Sequence, residues 1–146
     1  MIQTEPVSAE TLAAWAALRF ALWPDEGQLE EAADWLATAD PNQYNLVARV
    51  DGGTVIGFAE ATLRHDYVNG TSTSPVVFLE GIYVAPDHRR QGVAAALVEA
   101  VAGWGREQGC TEFASDVLID NLDSHAFHRA IGFAEQERVV CFSKPL

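Results

Sequence analysis

The chain has 146 residues, 49% hydrophobic and 21% charged, and its 21 acids against 9 bases give a formal charge of −12. That length suits one domain over residues 1–146 with a core that needs no staples, and the acidity argues against nucleic acid, whose phosphates such a surface repels. No apolar run approaches the roughly 20 residues of a membrane span and no basic-plus-apolar leader opens the chain, so the expectation is a cytoplasmic protein without membrane contact. In chain order, Ile2 to Pro6 reads as a short strand. Ser8 can cap a helix from about Ala9 to Leu22, with Leu12, Trp15, Ala16, Leu18, Phe20 and Leu22 as a broad apolar face. Trp23-Pro24 ends it, because a residue before proline leaves the helical region. A second helix fits about Gln28 to Ala39, and Asn45 to Asp51 reads as a strand. The turn signal Asp51-Gly52-Gly53 leads into a longer partner strand, Thr54 to Arg64. His65 to Ser74 is a polar loop.

Val76 to Val84 is β-branched and aromatic, stops at Ala85-Pro86, and reads as a largely buried strand. A basic turn follows, Asp87-His88-Arg89-Arg90-Gln91-Gly92-Val93-Ala94, and then an apolar helical run to Trp104 with Gly109 as its stop signal. Thr111 to Asp116 fits a short strand, Asn121 to Ala130 a helix closed by Gly132-Phe133, and Gln136 to Lys144 a final strand, with Phe133 to Glu135 as an optional extra one. Cys110 and Cys141 lie in apolar, strand-like surroundings, which fits buried reduced residues rather than a disulfide or a metal pair.

The turn after Val84 carries the chemistry. An Arg-x-x-Gly-x-Ala turn that opens a helix leaves backbone N–H groups unpaired and aimed one way, and the helix dipole favours negative charge there. Gly92 and Ala94 let a ligand approach the main chain closely. The pattern fits a pyrophosphate cradle, though an ordinary strand–turn–helix would also produce it. It is neither a Walker loop nor a dinucleotide fingerprint.

This segment resembles the acetyl-CoA-binding motif of the GNAT acetyltransferases. The element order, β-α-α-β-β-β-α-β-α-β, matches their α/β (α+β) fold, a mixed central sheet splayed at the acetyl-CoA site with about four helices. The resemblance implies acetyl-CoA as co-substrate and no metal. It assigns the thioester's backbone donors to Ile82, Tyr83 and Val84, and the pyrophosphate donors to Gln91, Gly92, Val93, Ala94 and Ala95. Arg89 or Arg90 would add charge, although either could equally be solvated surface.

Acetyl transfer to an amine also needs a group to take the amine's proton and one to return a proton to the thiolate. Glu80 stands inside an otherwise apolar strand, where an unpaired buried carboxylate is costly, so it should face an aqueous cleft. Asp116, at the end of Ala114-Ser115-Asp116, is the second candidate for holding or deprotonating an ammonium; a turn or capping acid is the alternative. Asp25, Glu26, Glu30, Glu31, Asp34 and Asp40 occur with no Lys or Arg between Arg19 and Arg49, and their field would attract a polycation.

A narrower resemblance follows from Leu22-Trp23-Pro24, Arg64 to Gly70, Ser74 to Ile82, Ala114-Ser115-Asp116, and Gly132-Phe133 followed by Glu137-Arg138-Val139. These blocks are similar to the aminoglycoside 6'-N-acetyltransferases of the chromosomal Acinetobacter and Salmonella type. The likeness implies acetylation of a 6'-amine, substrate contacts at Trp23, Tyr67, Glu80, Asp116 and Glu137, cofactor contact at Asn121, and a homodimer. The apolar run Val139-Val140-Cys141-Phe142 suits an interface or an inner strand. Carboxylates and aromatic platforms suit a polycation with flat sugar faces, whereas Trp15, Trp35 and Trp104 read as packing residues. His128 stands where many GNAT enzymes carry a thiolate-protonating Tyr, which leaves an imidazole or water for that step. Two other readings stay open: an acetyltransferase for a polyamine or a protein N-terminus, and a non-catalytic acyl-CoA-binding module.

Overall fold

The computed structural model describes residues 1–146. Its strands are β1 (Ile2–Pro6), β2 (Gln43–Val50), β3 (Val55–Arg64), β4 (Val76–Val84) and β5 (Phe113–Ala114), and its helices α1 (Leu12–Leu22), α2 (Gln28–Thr38), α3 (Val93–Glu107) and α4 (Leu122–Ala130). The strands form one mixed sheet in the order β1-β2-β3-β4-β5. β1 to β4 pair antiparallel, and β5 runs parallel to β4.

Period-two alternation along the strands divides the core. In β2, Val47 faces one side with Phe58 of β3 and packs under Trp15 and Ala16 of α1 and Ala32 of α2. Leu46 and Ala48 face the other side and, with Ala59, Ala61, Val77 and Leu79, receive Val93, Leu97 and Val101 of α3. Helices thus cover both faces, and no helix is long and apolar enough to cross a membrane.

Two irregularities make a site out of this sheet. The register between β3 and β4 pairs Glu60 with Gly81 but Ala61 with Leu79, so Glu80 is the extra residue of a β-bulge. A bulge re-aims the extra side chain, and Glu80 is the exposed position in a strand otherwise buried or half-buried. The second is the parting of β4 and β5. Only Val77 and Phe78 pair with Phe113 and Ala114, and β4 continues to Val84 paired with β3 alone.

The structure corrects several sequence expectations. α1 starts at Leu12, not Ala9, because Ser8 forms a turn with Thr11, donating its N–H to Thr11 Oγ1 and accepting from the Thr11 N–H. The strand expected over 111–116 is reduced to Phe113–Ala114, since β4 diverges and leaves it no partner. Neither a strand over 136–144 nor one over 133–135 forms. A strand needs a neighbour to satisfy its backbone, and the single chain offers this segment none. The inner-strand option for Val139 to Phe142 is therefore excluded, and Val139, Val140 and Phe142 are exposed. Cys110 is buried as expected; Cys141 shares the exposed tail, and both thiols are free.

Candidate active site

The turn that carries the donors is built by backbone conformation. Arg90 and Gly92 both have positive φ, 61° and 86°, which turns the chain sharply before α3. Gly92 is the N-cap of α3, with no side chain capping the helix. None of the backbone N–H groups from Arg90 to Ala95 has a partner within the protein, and the first helical bond at this end runs from Ala96 N–H to the Gly92 carbonyl. Gln91, Gly92, Val93, Ala94 and Ala95 are thus grouped as a donor cradle, open above Gly92, where an added Cβ would meet only Ile2 at 3.9 Å. The two arginines differ. Both are exposed, but Arg89 turns back, donating its Nε–H to the Val84 carbonyl at 2.8 Å with its guanidinium 5.2 Å from the Tyr83 ring, whereas the Arg90 side chain makes no hydrogen bond.

Beside this cradle, the β4 edge that carries Ile82, Tyr83 and Val84 has no strand partner on the β5 side. Ser115, the first residue past the last paired position, closes the base of the opening, its Oγ 3.3 Å from the Leu79 carbonyl oxygen and 2.9 Å from His128 Nε2. His128 Nδ1 lies 2.8 Å from the Ser124 carbonyl oxygen, an acceptor only, so Nδ1 carries a hydrogen. In the neutral ring, Nε2 accepts from the Ser115 hydroxyl. In the imidazolium it donates to Ser115 Oγ, whose own hydrogen is then free to bond Leu79. Asn121 caps α4, its Oδ1 accepting from the Ser124 N–H at 3.2 Å.

The acceptor side is a cavity of about 480 Å³ walled by α1, α2, β2, β3 and β4. Trp23 and Glu80 both line it, as do Asp25 and Glu31 of the acidic run. Glu80 Oε1 accepts from Thr62 Oγ1 at 2.7 Å and from Arg64 Nη2 at 2.8 Å. Tyr67, Asp116 and Glu137 are exposed and do not line this cavity. The loop carrying Tyr67 and the segment carrying Glu137 do meet, since a Cβ on Gly70 would come within 2.9 Å of Gln136 Cβ.

The floor was not foreseen from sequence. Glu60 is buried and accepts from the Trp15 indole at 3.0 Å and, through both oxygens, from Arg19 Nη1. Burial pushes the Glu60 carboxyl above its ordinary range, while the Arg19 and Trp15 hydrogen bonds pull the other way. Trp15 and Trp35 are therefore more than packing: Trp35 lines the cavity and reaches Glu31 at 3.3 Å. Trp104 does pack as expected, stacked on Tyr44. Gln43, another wall residue, has a buried Oε1 without a hydrogen-bond partner. No group of three or more His, Cys, Asp or Glu side chains is arranged to hold a metal ion.

Comparison with known proteins agrees with this geometry. The model of the acetyltransferase (GNAT) family matches residues 9–133. An aminoglycoside N(6')-acetyltransferase type 1 from Acinetobacter genomosp. 13 is 51% identical over 141 residues, 95% of each chain. The crystal structure of the aminoglycoside antibiotic 6'-N-acetyltransferase AAC(6')-Ih from Acinetobacter baumannii superposes with a TM-score of 0.95 at 45% identity, covering 100% of this chain and 99% of that one. AAC(6')-Iy in complex with the bisubstrate analog CoA-S-monomethyl-acetylneamine gives 0.92 at 41% identity, with 100% and 99% covered. Family model, sequence identity and backbone geometry converge, and the chain belongs to the GNAT acetyltransferases, in the aminoglycoside N(6')-acetyltransferase group.

Proposed function

We propose that this protein is an aminoglycoside 6'-N-acetyltransferase, a single-domain cytoplasmic enzyme that moves an acetyl group from acetyl-CoA to the 6'-amine of an aminoglycoside and so inactivates the antibiotic. The observation that carries the reading is a juxtaposition. One strand, β4, offers an unpaired backbone edge beside a phosphate cradle and, through its bulge, aims Glu80 into a carboxylate-rich cavity.

The residues present fit acetyl-CoA. Acetyl-CoA brings the activated acyl group as a thioester. The N–H groups of Gln91, Gly92, Val93, Ala94 and Ala95 receive its pyrophosphate, with the Arg90 cation alongside and Arg89 bracing the end of β4. The backbone of Ile82, Tyr83 and Val84 supplies the donor for the acyl oxygen, and Asn121, the N-cap of α4, adds a further cofactor contact.

On the acceptor side, Trp23 forms a wall and Glu80 meets the substrate ammonium through Oε2, its other oxygen being held by Thr62 and Arg64. Glu80 accepts the amine's proton through water. Asp116 holds a neighbouring ammonium at the mouth of the splay, and Tyr67 and Glu137 complete the outer rim of the substrate site. Ser115 and His128 return a proton to the departing thiolate. The working unit is a homodimer joined through the exposed apolar tail around Val139, Val140 and Phe142.

Thiol release from acetyl-CoA tests the reading, with tobramycin compared against an aminoglycoside carrying a 6'-hydroxyl in place of the amine. Turnover with tobramycin and none with the hydroxyl compound is the expected result. Equal rates with a polyamine would favour the broader amine-acetyltransferase reading.

A further inference from the structure

Arg19 is the single basic side chain in the wall of a cavity that also holds Asp25, Glu31, Glu60 and Glu80. A cation is a strange wall for a site that receives a polycation. It is also 4% exposed, and every nitrogen of its guanidinium is engaged. Nε donates to Gln28 Oε1 at 3.0 Å, Nη1 to Glu60, and Nη2 pairs with Glu31 at 3.1 Å. Two carboxylates neutralise it, so it does not oppose a cationic ligand.

Its faces are engaged as well. The guanidinium carbon lies 5.6 Å from the Trp15 ring and 5.1 Å from the Trp23 ring. Gln28, fixed by Arg19, donates its amide to the Trp23 carbonyl oxygen at 2.8 Å. Trp23 also lies directly against Gly81, where a Cβ would fall 2.3 Å from ring atom Cη2 and 2.6 Å from Cζ2. Gly81 is the residue that follows Glu80 and stands opposite Glu60 in the sheet. The indole thus contacts both a buried cation and a bare strand backbone.

A buried ion pair of this kind is poorly explained by stability, because apolar side chains of similar volume commonly serve as well or better. A planar fork with stacking faces does fix geometry, which a lysine cannot reproduce. We propose that Arg19 is a positioning residue that acts through Trp23, holding the indole against Gly81 as a fixed wall beside Glu80 on which the acceptor amine is aligned. The proposal rests on the aminoglycoside reading above and assigns to Arg19, Glu60, Gln28 and Gly81 a role in acceptor recognition.

Arg19→Lys keeps the charge and removes the fork. It should raise the KM for tobramycin about tenfold, with kcat and the acetyl-CoA Kd within about twofold, the pattern of a lost binding contact. In a Trp23→Ala background the same substitution should change kcat/KM by less than about twofold, because two changes acting through one contact do not add. Full additivity of the two substitutions, or an unchanged KM in Arg19→Lys, overturns the proposal. If Arg19→Lys does not fold, Gly81→Ala leaves the buried pair intact and displaces the ring; it should show the same KM-selective loss, and a wild-type KM there overturns the clamp. Absence of wild-type turnover with every aminoglycoside would sink the functional reading alone. Acrylamide quenching of the Trp23 emission, taken as wild type minus Trp23→Phe, then reads the clamp directly. Quenching that rises in Arg19→Lys supports it, and unchanged quenching overturns it.

Discussion

Ser115 Oγ sits 2.9 Å from His128 Nε2 where β4 and β5 separate, and Ser124 fixes the other nitrogen of the ring. In the proposed mechanism that pair returns the proton to the thiolate. His128→Phe should lower kcat by about 10²-fold, within the ordinary range for loss of a general acid or base, and leave the acetyl-CoA Kd near its wild-type value. A kcat within twofold of wild type would show that water protonates the thiolate.

Gly92 has φ +86° and a cradle above it that any side chain would enter. Gly92→Val adds both backbone strain and a branched group at the proposed pyrophosphate site. Titration calorimetry should show acetyl-CoA affinity lost by at least about tenfold, roughly 1.4 kcal/mol, while the melting temperature of the free protein falls only modestly. Unchanged affinity would remove the cradle from the mechanism.

The sequence made one half of this site legible and hid the other. The cradle was visible because backbone chemistry leaves a local signature: a glycine and small residues opening an apolar helix. Glu80 was visible as a charge inside an apolar strand. Glu60 carries the same signal, standing in Ile56-Gly57-Phe58-Ala59-Glu60-Ala61, yet its role depends on Arg19, which is 41 residues away in the chain. Arg19 itself sits one helical turn from Trp15, on the buried face of α1, which was the clue to a paired interior charge. The bulge at Glu80 could not be read at all, because it is a mismatch of register between two strands. The missing last strand has the same character: apolar alternation promises a strand only if a partner edge exists.

Screening gives a separate test of the acceptor cavity. Asp25, Glu31, Glu60 and Glu80 line it against one basic residue, so attraction for a polycation should weaken over the roughly 10 Å Debye length of 0.1 M salt. The KM for tobramycin should rise steadily between low and moderate ionic strength. Acetyl-CoA, assigned to the backbone-amide cradle in the proposed function, should respond less. A flat tobramycin KM would argue against electrostatic capture.

Glu60 also links stability to pH. Burial raises its carboxyl in the folded state, so the folded protein holds that proton more tightly than the unfolded chain does. By linkage its contribution is fully present below the ordinary carboxylate value and is lost as pH rises through the raised one. Glu112 and Glu135 run the opposite way, their carboxyls lowered by hydrogen bonds from Thr73 and Arg138. A single-residue comparison isolates Glu60: in urea melts, the stability of Glu60→Gln relative to wild type should increase as pH rises from the carboxylate range toward neutrality. A difference that is constant with pH would mean that Glu60 titrates alike in both states.

The sharpest test separates Glu80 from Asp116. Glu80 is the bulged residue of β4, two positions before Ile82, with one oxygen fixed by Thr62 and Arg64 and the other available. Asp116 lies just beyond the end of β5, exposed and without a side-chain hydrogen bond. A carboxylate that both holds the ammonium and takes its proton lowers turnover when removed, whereas one that only holds a neighbouring amine raises KM. Glu80→Gln should therefore cut kcat by about 10²-fold or more and move the rising limb of the pH–rate profile. Asp116→Asn should raise the KM for tobramycin about tenfold at nearly constant kcat. Arg64→Met supplies a control, because it removes one of the two hydrogen bonds to Glu80 Oε1, leaves that from Thr62, and keeps the carboxylate, so it should retain turnover that Glu80→Gln loses. Wild-type kcat and an unshifted pH profile in Glu80→Gln would leave Glu80 as a specificity residue and pass the base to Asp116 or to water.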